Sequence, residues 1–140
     1  MNDNVNTNQE DLVTTILIAD DDEDILALVN RALSESGYEV LLARDGATAL
    51  ATARERKPAL ALLDIAMPAP DGYEVTAALK NDPTTKDTIV ILFTARSEAS
   101  DVEKGYEAGA DDYIMKPFTL KTLQSRVRTA LEQAAGAADN

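Results

Sequence analysis

The chain has 140 residues, 45% of them hydrophobic and 27% charged, the size and make-up of one ordinary globular domain that buries roughly two-thirds of its unfolded surface. It contains no cysteine and no histidine, which excludes disulfides, thiolate metal sites and imidazole catalysis and leaves acid-base chemistry to carboxylates and lysine. A formal charge of -12 opposes nucleic acid, whose affinity comes largely from Lys and Arg neutralising phosphates, so no direct nucleic-acid binding is expected.

Residues 1–13 read as a disordered tail. Met1 to Asp11 is polar and acidic, and it has neither the basic residues nor the apolar core of a signal peptide. Residues 14–134 form the expected domain, in which five short apolar runs alternate with helical patterns. The first run, Thr15–Ala19, leads through Asp20-Asp21-Asp22 into a helix where Ile25, Leu28, Val29, Ala32 and Leu33 recur at helical spacing before Gly37. The second, Glu39–Ala43, precedes a helix capped by Asp45 and running through Arg56. The third, Leu60–Leu63, ends at Asp64, and Asp71 with Glu74 makes a capping-box pattern for the next helix. The fourth, Ile89–Thr94, precedes a second such pattern, Ser100 with Glu103. The fifth, Asp112–Met115, leads to a last helix from Thr119 with Leu120, Leu123, Val127 and Leu131 on one face. Residues 135–140 are Ala/Gly-rich and read as a flexible tail.

Continuous apolar runs suit strands buried on both faces, and their alternation with helices predicts a doubly wound α/β fold, (βα)5, with one parallel sheet. No internal repeat or second domain is evident. Runs such as Ile89 to Phe93 fall far short of the roughly 20 residues that span a bilayer, so no membrane association and a cytoplasmic location are expected.

Asp20-Asp21, Asp64, Thr94 and Lys116 each fall at the C-terminal end of a predicted strand, the edge where open α/β sheets bind ligands. Acidic residues after a strand also serve as helix starts, and a strand-ending Thr or a Lys before Pro is commonly structural. The joint pattern carries more. If Asp64 lies beside Asp20-Asp21, like charges about 4 Å apart repel by roughly 4 kcal/mol at an effective dielectric near 20. Such a cluster calls for a cation. With oxygen ligands alone, a hard divalent ion fits, and Mg²⁺ usually takes one or two carboxylates, waters and a phosphate; Mn²⁺ is a substitute. Lys116 and Thr94 add the counter-charge and hydrogen-bond donor that a phosphoryl group needs opposite the metal.

Four segments, in order, resemble the receiver domain of two-component response regulators (the CheY-like superfamily): Ile16-Leu17-Ile18-Ala19-Asp20-Asp21-Asp22, the D-x-x-M-P-x-x-D-G stretch from Asp64 to Gly72, Phe93-Thr94-Ala95, and Gly109 to Phe118 with Lys116-Pro117. The resemblance spans about residues 15–134. It implies a flavodoxin-like five-stranded sheet of order 2-1-3-4-5 with helices on both faces. It further implies that Asp64 accepts a phosphoryl group from a sensor histidine kinase or histidine phosphotransfer protein. In that reading Mg²⁺ is held by Asp21 directly, Asp20 through water, Asp64 and the Ala66 carbonyl, while Lys116 pairs with phosphoryl oxygens. Thr94 then turns to the phosphate and Tyr113 rotates into the vacated space, changing the surface of the fourth helix, fifth strand and fifth helix. A downstream protein target or output domain, and a phosphorylation-dependent homodimer, follow from the same resemblance. The resemblance likewise implies self-directed phosphoryl transfer and slow loss of the phosphate, so an enzyme that turns over a substrate is not expected.

Some positions depart from the pattern. Ala19 is small, Asp22 is a third acid, and Ala66 and Arg96, two after Asp64 and Thr94, are expected to tune the lifetime of the phosphate. Lys121, Arg126 and Arg128 make a basic patch on the last helix, a solvated face or a contact for an acidic partner. Two alternatives are an unphosphorylated pseudo-receiver and a Mg²⁺-dependent phosphatase. The acceptor, acid pair and lysine are all present, which disfavours the first, and no second acid follows Asp64 at two residues, which disfavours the second.

Overall fold

The computed structural model describes residues 13–139; the tail expected at residues 1–13 lies almost wholly outside them. Five parallel strands, β1 (Thr15–Ala19), β2 (Glu39–Ala43), β3 (Leu60–Leu63), β4 (Ile89–Thr94) and β5 (Asp112–Met115), pair in the order β2-β1-β3-β4-β5. Helices α1 (Glu23–Glu35), α2 (Gly46–Arg56), α3 (Gly72–Asn81), α4 (Ala99–Ala108) and α5 (Leu120–Asp139) alternate with them. The fold is the expected flavodoxin-like (βα)5.

The sequence dictates this arrangement through burial. From Ile16 onward β1 is buried, and every residue of β3 and β4 is buried, as central strands covered on both faces must be, whereas β2 and β5 at the sheet edges are only partly covered. Because side chains alternate across a strand, each strand feeds two cores. Ile16, Ile18, Leu60, Leu62, Ile91 and Phe93 pack with Leu26, Val29 and Leu33 of α1 and Leu123 and Val127 of α5. Leu17, Leu63, Val90 and Leu92 pack on the other face with Ala49 and Ala53 of α2, Tyr73, Val75 and Leu79 of α3, and Tyr113.

Helix starts follow the acidic residues. Asp22 accepts from the Asp24 and Ile25 amides, Asp45 accepts from the Thr48 amide at 2.7 Å, and Asp71 and Glu74 close a capping box at 2.9 Å in each direction. Two ends differ from expectation. The fourth helix begins at Ala99, not behind a Ser100 cap, because the Glu98 amide donates to the Asp101 carboxylate and so places Asp101 where Glu103 was expected. The last helix runs to Asp139 instead of giving way to a tail at residue 135. Its terminal run is mostly alanine, the strongest helix former, and the single Gly136 costs only about 1 kcal/mol against that preference.

The topology fixes the site. Strand order reverses direction of growth at β1, with β2 on one side and β3 on the other. Ala19 pairs with both Ala43 and Leu63, so the residues following β1 and β3 emerge side by side at this switch point.

Candidate functional site

The sheet's backbone pairing continues one residue beyond the strands and delivers the site. The Asp64 amide donates to the Ala19 carbonyl at 2.9 Å, the Asp20 amide to the Ala43 carbonyl at 3.1 Å, and the Lys116 amide to the Thr94 carbonyl at 2.8 Å. Each functional residue is therefore held by the rigid sheet, and not by a loose loop. Ligand-capable oxygens of Asp20, Asp21 and Asp64 all lie within 4.8 Å of one another. Asp20 is fully buried, Asp64 is 5% exposed, and Asp21 is exposed to solvent.

Lys116 crosses to this cluster. Its Nζ donates to Asp20 Oδ2 at 2.8 Å, stands 3.6 Å from Asp64 Oδ2, and sits 5.0 Å from the centre of the Phe93 ring, a cation on an aromatic face. Asp20 Oδ1 accepts the Asp22 amide at 2.9 Å, so both oxygens of this buried carboxylate are bonded. Even so, burial pushes the Asp20 carboxyl above its ordinary value; Lys116 and the Asp22 amide pull it down, and the neighbouring Asp64 charge pushes it up again. Desolvation outweighs one ammonium. Three carboxylates against one lysine leave excess negative charge in a cleft walled by low-dielectric core, the condition that favours a divalent cation with oxygen ligands.

The acceptor turn is built around a close approach. A Cβ on Gly72 would fall 2.5 Å from the Asp64 carbonyl oxygen and 2.7 Å from Ile65 Cα, so only glycine lets α3 begin this near the acidic residue. The Gly72 amide donates to the Ile65 carbonyl at 3.1 Å, and the Ala66 amide reaches Asp64 Oδ1 at 3.4 Å. Ala66 itself is exposed, on the rim of the cleft beside the carboxylates.

Thr94 is buried at the end of β4, its Oγ1 approached by the Arg96 amide at 3.5 Å. Tyr113 lies inward, against the opposite face of the sheet from Phe93: its ring packs on α4, where a Cβ on Gly105 would come within 3.1 Å of Tyr113 Cδ2, and its Oη donates to the Arg96 carbonyl at 2.7 Å. Burial, with the Tyr73 phenol and Asp101 adding, pushes the Tyr113 hydroxyl up to about 12, so it is a neutral donor at any physiological pH.

Asp20, Asp21, Asp64 and Lys116 thus meet in one cluster, Thr94 stands on the adjoining strand end, and Tyr113 sits behind it. Sequence reasoning missed Tyr73, and it read Phe93 only as part of the Thr94 motif, not as the ring beneath Lys116. Tyr73 Oη donates to the Asp101 carbonyl at 3.1 Å beside Tyr113, and only its inward place in a helical pattern marks it in the sequence. The basic patch on the last helix is also smaller than it reads: Arg126 Nε donates to Asp112 Oδ2 at 2.8 Å, an ion pair within the domain. Among the described residues, no helix is long and apolar enough to cross a membrane.

Comparison with known proteins places this geometry. Residues 16–128 match the family model of the response regulator receiver domain. The transcriptional regulatory protein PrrA of Mycobacterium tuberculosis is 45% identical over 123 residues, which cover 88% of this chain and 52% of that protein. The phosphate regulon transcriptional regulatory protein PhoB of Pseudomonas aeruginosa is 41% identical over 119 residues, covering 85% and 52%. The chain spans about half the length of these curated relatives. A CheY-like response regulator receiver domain from Methanospirillum hungatei superposes with a TM-score of 0.84 at 30% identity, covering 89% of this chain and 98% of that one.

Proposed function

The chain belongs to the response regulator receiver domain family of two-component signalling, and from that premise we propose that it is a phosphorylation-dependent switch with Asp64 as the phosphoacceptor. The observation that carries this reading is the buried Asp64 carboxylate held 3.6 Å from the Lys116 ammonium within a three-carboxylate cluster.

An Asp64 oxygen attacks the phosphorus of a phosphohistidine on a sensor kinase or phosphotransfer protein. The P–N bond breaks, its electron pair stays on the imidazole, and an aspartyl phosphate forms. Lys116 is within reach of the site and compensates charge that spreads onto the phosphoryl oxygens, and the Thr94 hydroxyl donates a further hydrogen bond to them. Asp20, Asp21, Asp64 and the Ala66 carbonyl fit a hard divalent cation, Mg²⁺ or Mn²⁺, which when bound neutralises phosphoryl oxygens and screens the carboxylates from one another.

The readout is mechanical. Thr94 turning towards the phosphate leaves space beside β5 for the Tyr113 ring, which already lies inward here with its hydroxyl on the Arg96 carbonyl, and holding the ring in that place changes the surface formed by α4, β5 and α5. That surface would meet a downstream target, an output domain or a second copy of the chain, and the protein acts in the cytoplasm where its kinase presents phosphohistidine.

Intact mass after incubation with Mg²⁺ and acetyl phosphate tests the reading. Wild-type protein gains one phosphoryl group, and Asp64→Asn or chelation of the metal abolishes the gain. An adduct that survives Asp64→Asn, or none at all once metal binding is established, would sink it.

A further inference from the structure

Lys116 owes its place to register as well as to charge. Phe93 of β4 lies beside Ile114 of β5, and the backbone pairing runs on through the Lys116 amide, which donates to the Thr94 carbonyl at 2.8 Å. Alternation along that extension puts Ile114 and Lys116 on one face of the sheet, and Phe93 and Ile114 share the core on that face. The lysine stem therefore leaves the sheet beside Phe93, and its Nζ stands over the ring, 5.0 Å from the centre.

The ring is a fixed surface. Phe93 is fully buried, and Phe118 packs against it with ring centres 6.0 Å apart and planes tilted by 60°. Lysine alone is not fixed: it carries a compact charge on a flexible stem, and here its side chain keeps 19% exposure at the border with water. Three groups surround the ammonium, Asp20 at 2.8 Å, Asp64 at 3.6 Å and the Phe93 ring. They hold it differently. A hydrogen bond to Asp20 is directional, whereas attraction to the negative face of a ring is broad, so the ammonium can pivot between Asp20 and Asp64 without leaving the ring.

We propose that Phe93 is a positioning residue for phosphoryl transfer, its ring face keeping the Lys116 ammonium within reach of Asp64 against loss to Asp20 or to water. This rests on the reading of Asp64 as phosphoacceptor. An aliphatic side chain at position 93 fills the same core and offers no negative face, so the ammonium spends more of its time in rotamers that serve Asp20 or solvent. Transfer slows in proportion as the productive arrangement is less populated, because a charge-stabilising group acts only from where the phosphoryl charge develops.

The readout is the rate of phosphoryl uptake from acetyl phosphate with Mg²⁺, followed by intact mass. Phe93→Leu and Phe93→Met both remove the ring face, and Met keeps more of the bulk. Each should slow uptake about five- to tenfold, the range a desolvated cation–ring contact supports. In a Lys116→Met background the same substitutions should change the residual rate by less than about twofold, since no ammonium is left to place. A loss of equal size in both backgrounds, or a wild-type rate in Phe93→Met, would show Phe93 to be a core residue alone and overturn the inference. Wild type supplies a check that needs no variant to fold: the ring current should move the Lys116 ε-methylene protons upfield of their ordinary NMR position, and protons found at that ordinary position would overturn the inference too. If wild type takes up no phosphoryl group, or Asp64→Asn takes it up equally, the phosphoacceptor reading fails and takes this one with it.

Discussion

Each edge of the sheet brings a lysine to an aspartate, and the two edges use the pair differently. At the amino edge Lys80 Nζ donates to Asp111 Oδ2 at 2.9 Å and to the Thr88 carbonyl at 2.7 Å, and the same carboxylate oxygen accepts the Val90 amide at 2.8 Å. Thr88 closes the set by donating to the Pro58 carbonyl at 3.0 Å. One positive charge meets one negative charge, and the backbone takes up what is left. At the carboxyl edge a single ammonium, Lys116, faces three carboxylates, 2.8 Å from Asp20 and 3.6 Å from Asp64, with Asp21 alongside. Hydrogen bonding does not separate the edges, since among the described residues no buried side-chain nitrogen or oxygen lacks a partner. Charge does. A neutral polar cluster fastens a fold, and one left with uncompensated charge is prepared for a ligand of opposite sign.

Replacing each lysine tests that contrast most severely. Lys116→Met should slow phosphoryl uptake from acetyl phosphate at least about hundredfold, as loss of a preorganised charge-stabilising group does. It should also cost the metal-free protein about 3 kcal/mol in denaturant unfolding, because Asp20 and Asp64 lose their counter-charge. Lys80→Met should cost about 2 kcal/mol through the unpaired Asp111 and Thr88 acceptors, and leave the uptake rate within about twofold. If the amino-edge variant slowed uptake as much as the carboxyl-edge one, the division between a fastening cluster and a reactive one would be wrong.

The two edges were also unequally legible. All five strands stand where the apolar runs put them, because continuous burial on both faces leaves a plain signature, and the carboxyl edge was legible because its residues directly follow those runs. The amino edge was not. Lys80 lies near the end of a helix and Asp111 in a loop, and nothing in their spacing announces that they meet. Tyr73 and Tyr113 differ in the same way: both are buried phenols bonded to a carbonyl of the β4–α4 region, but only Tyr113 falls inside a motif. The misplaced cap at Ser100 arose from overlapping acidic signals, Glu98 with Asp101 and Ser100 with Glu103, which composition cannot rank. Residues 135–139 were misread as tail because an alanine-rich run looks like a linker when its helix propensity is overlooked.

Uncompensated charge predicts a smaller, opposite effect for the acceptor itself. Asp64→Asn removes a like charge from the cluster, so the metal-free variant should be more stable than wild type, by about 1 kcal/mol or a few degrees in Tm. Mg²⁺ should raise the Tm of wild type by binding the folded state, and chelation should reverse it, with a reduced response in the variant. An amino-edge counterpart, Asp111→Asn, should destabilise, because its charge is already matched by Lys80. Equal signs for the two substitutions would contradict the contrast.

The smallest effect is one of pH, and its sign distinguishes burial from pairing. Burial holds the Asp20 carboxyl above its unfolded value of 3.8 despite Lys116, so between those two values the folded protein keeps a proton that the unfolded chain has lost. Stability therefore falls as pH rises through the folded-state value, and the ionised Asp20 is a standing penalty at neutral pH. Asp45 and Asp82 run the other way: amide and hydroxyl donors from Thr48 and Thr84 hold them below 3.8, so their contributions are intact above that pH and are lost only as it falls further. The two windows do not overlap. Metal-free wild type should thus gain stability on acidification from neutrality towards 3.8 by more than Asp20→Asn does, the difference between their Tm profiles isolating this one carboxyl. Saturating Mg²⁺ should erase the difference, because a cation favours the charged carboxylate that burial penalises. A wild-type profile that instead ran parallel to the variant's would mean that Lys116 cancels the burial of Asp20 completely, leaving the carboxyl edge as balanced as the amino edge.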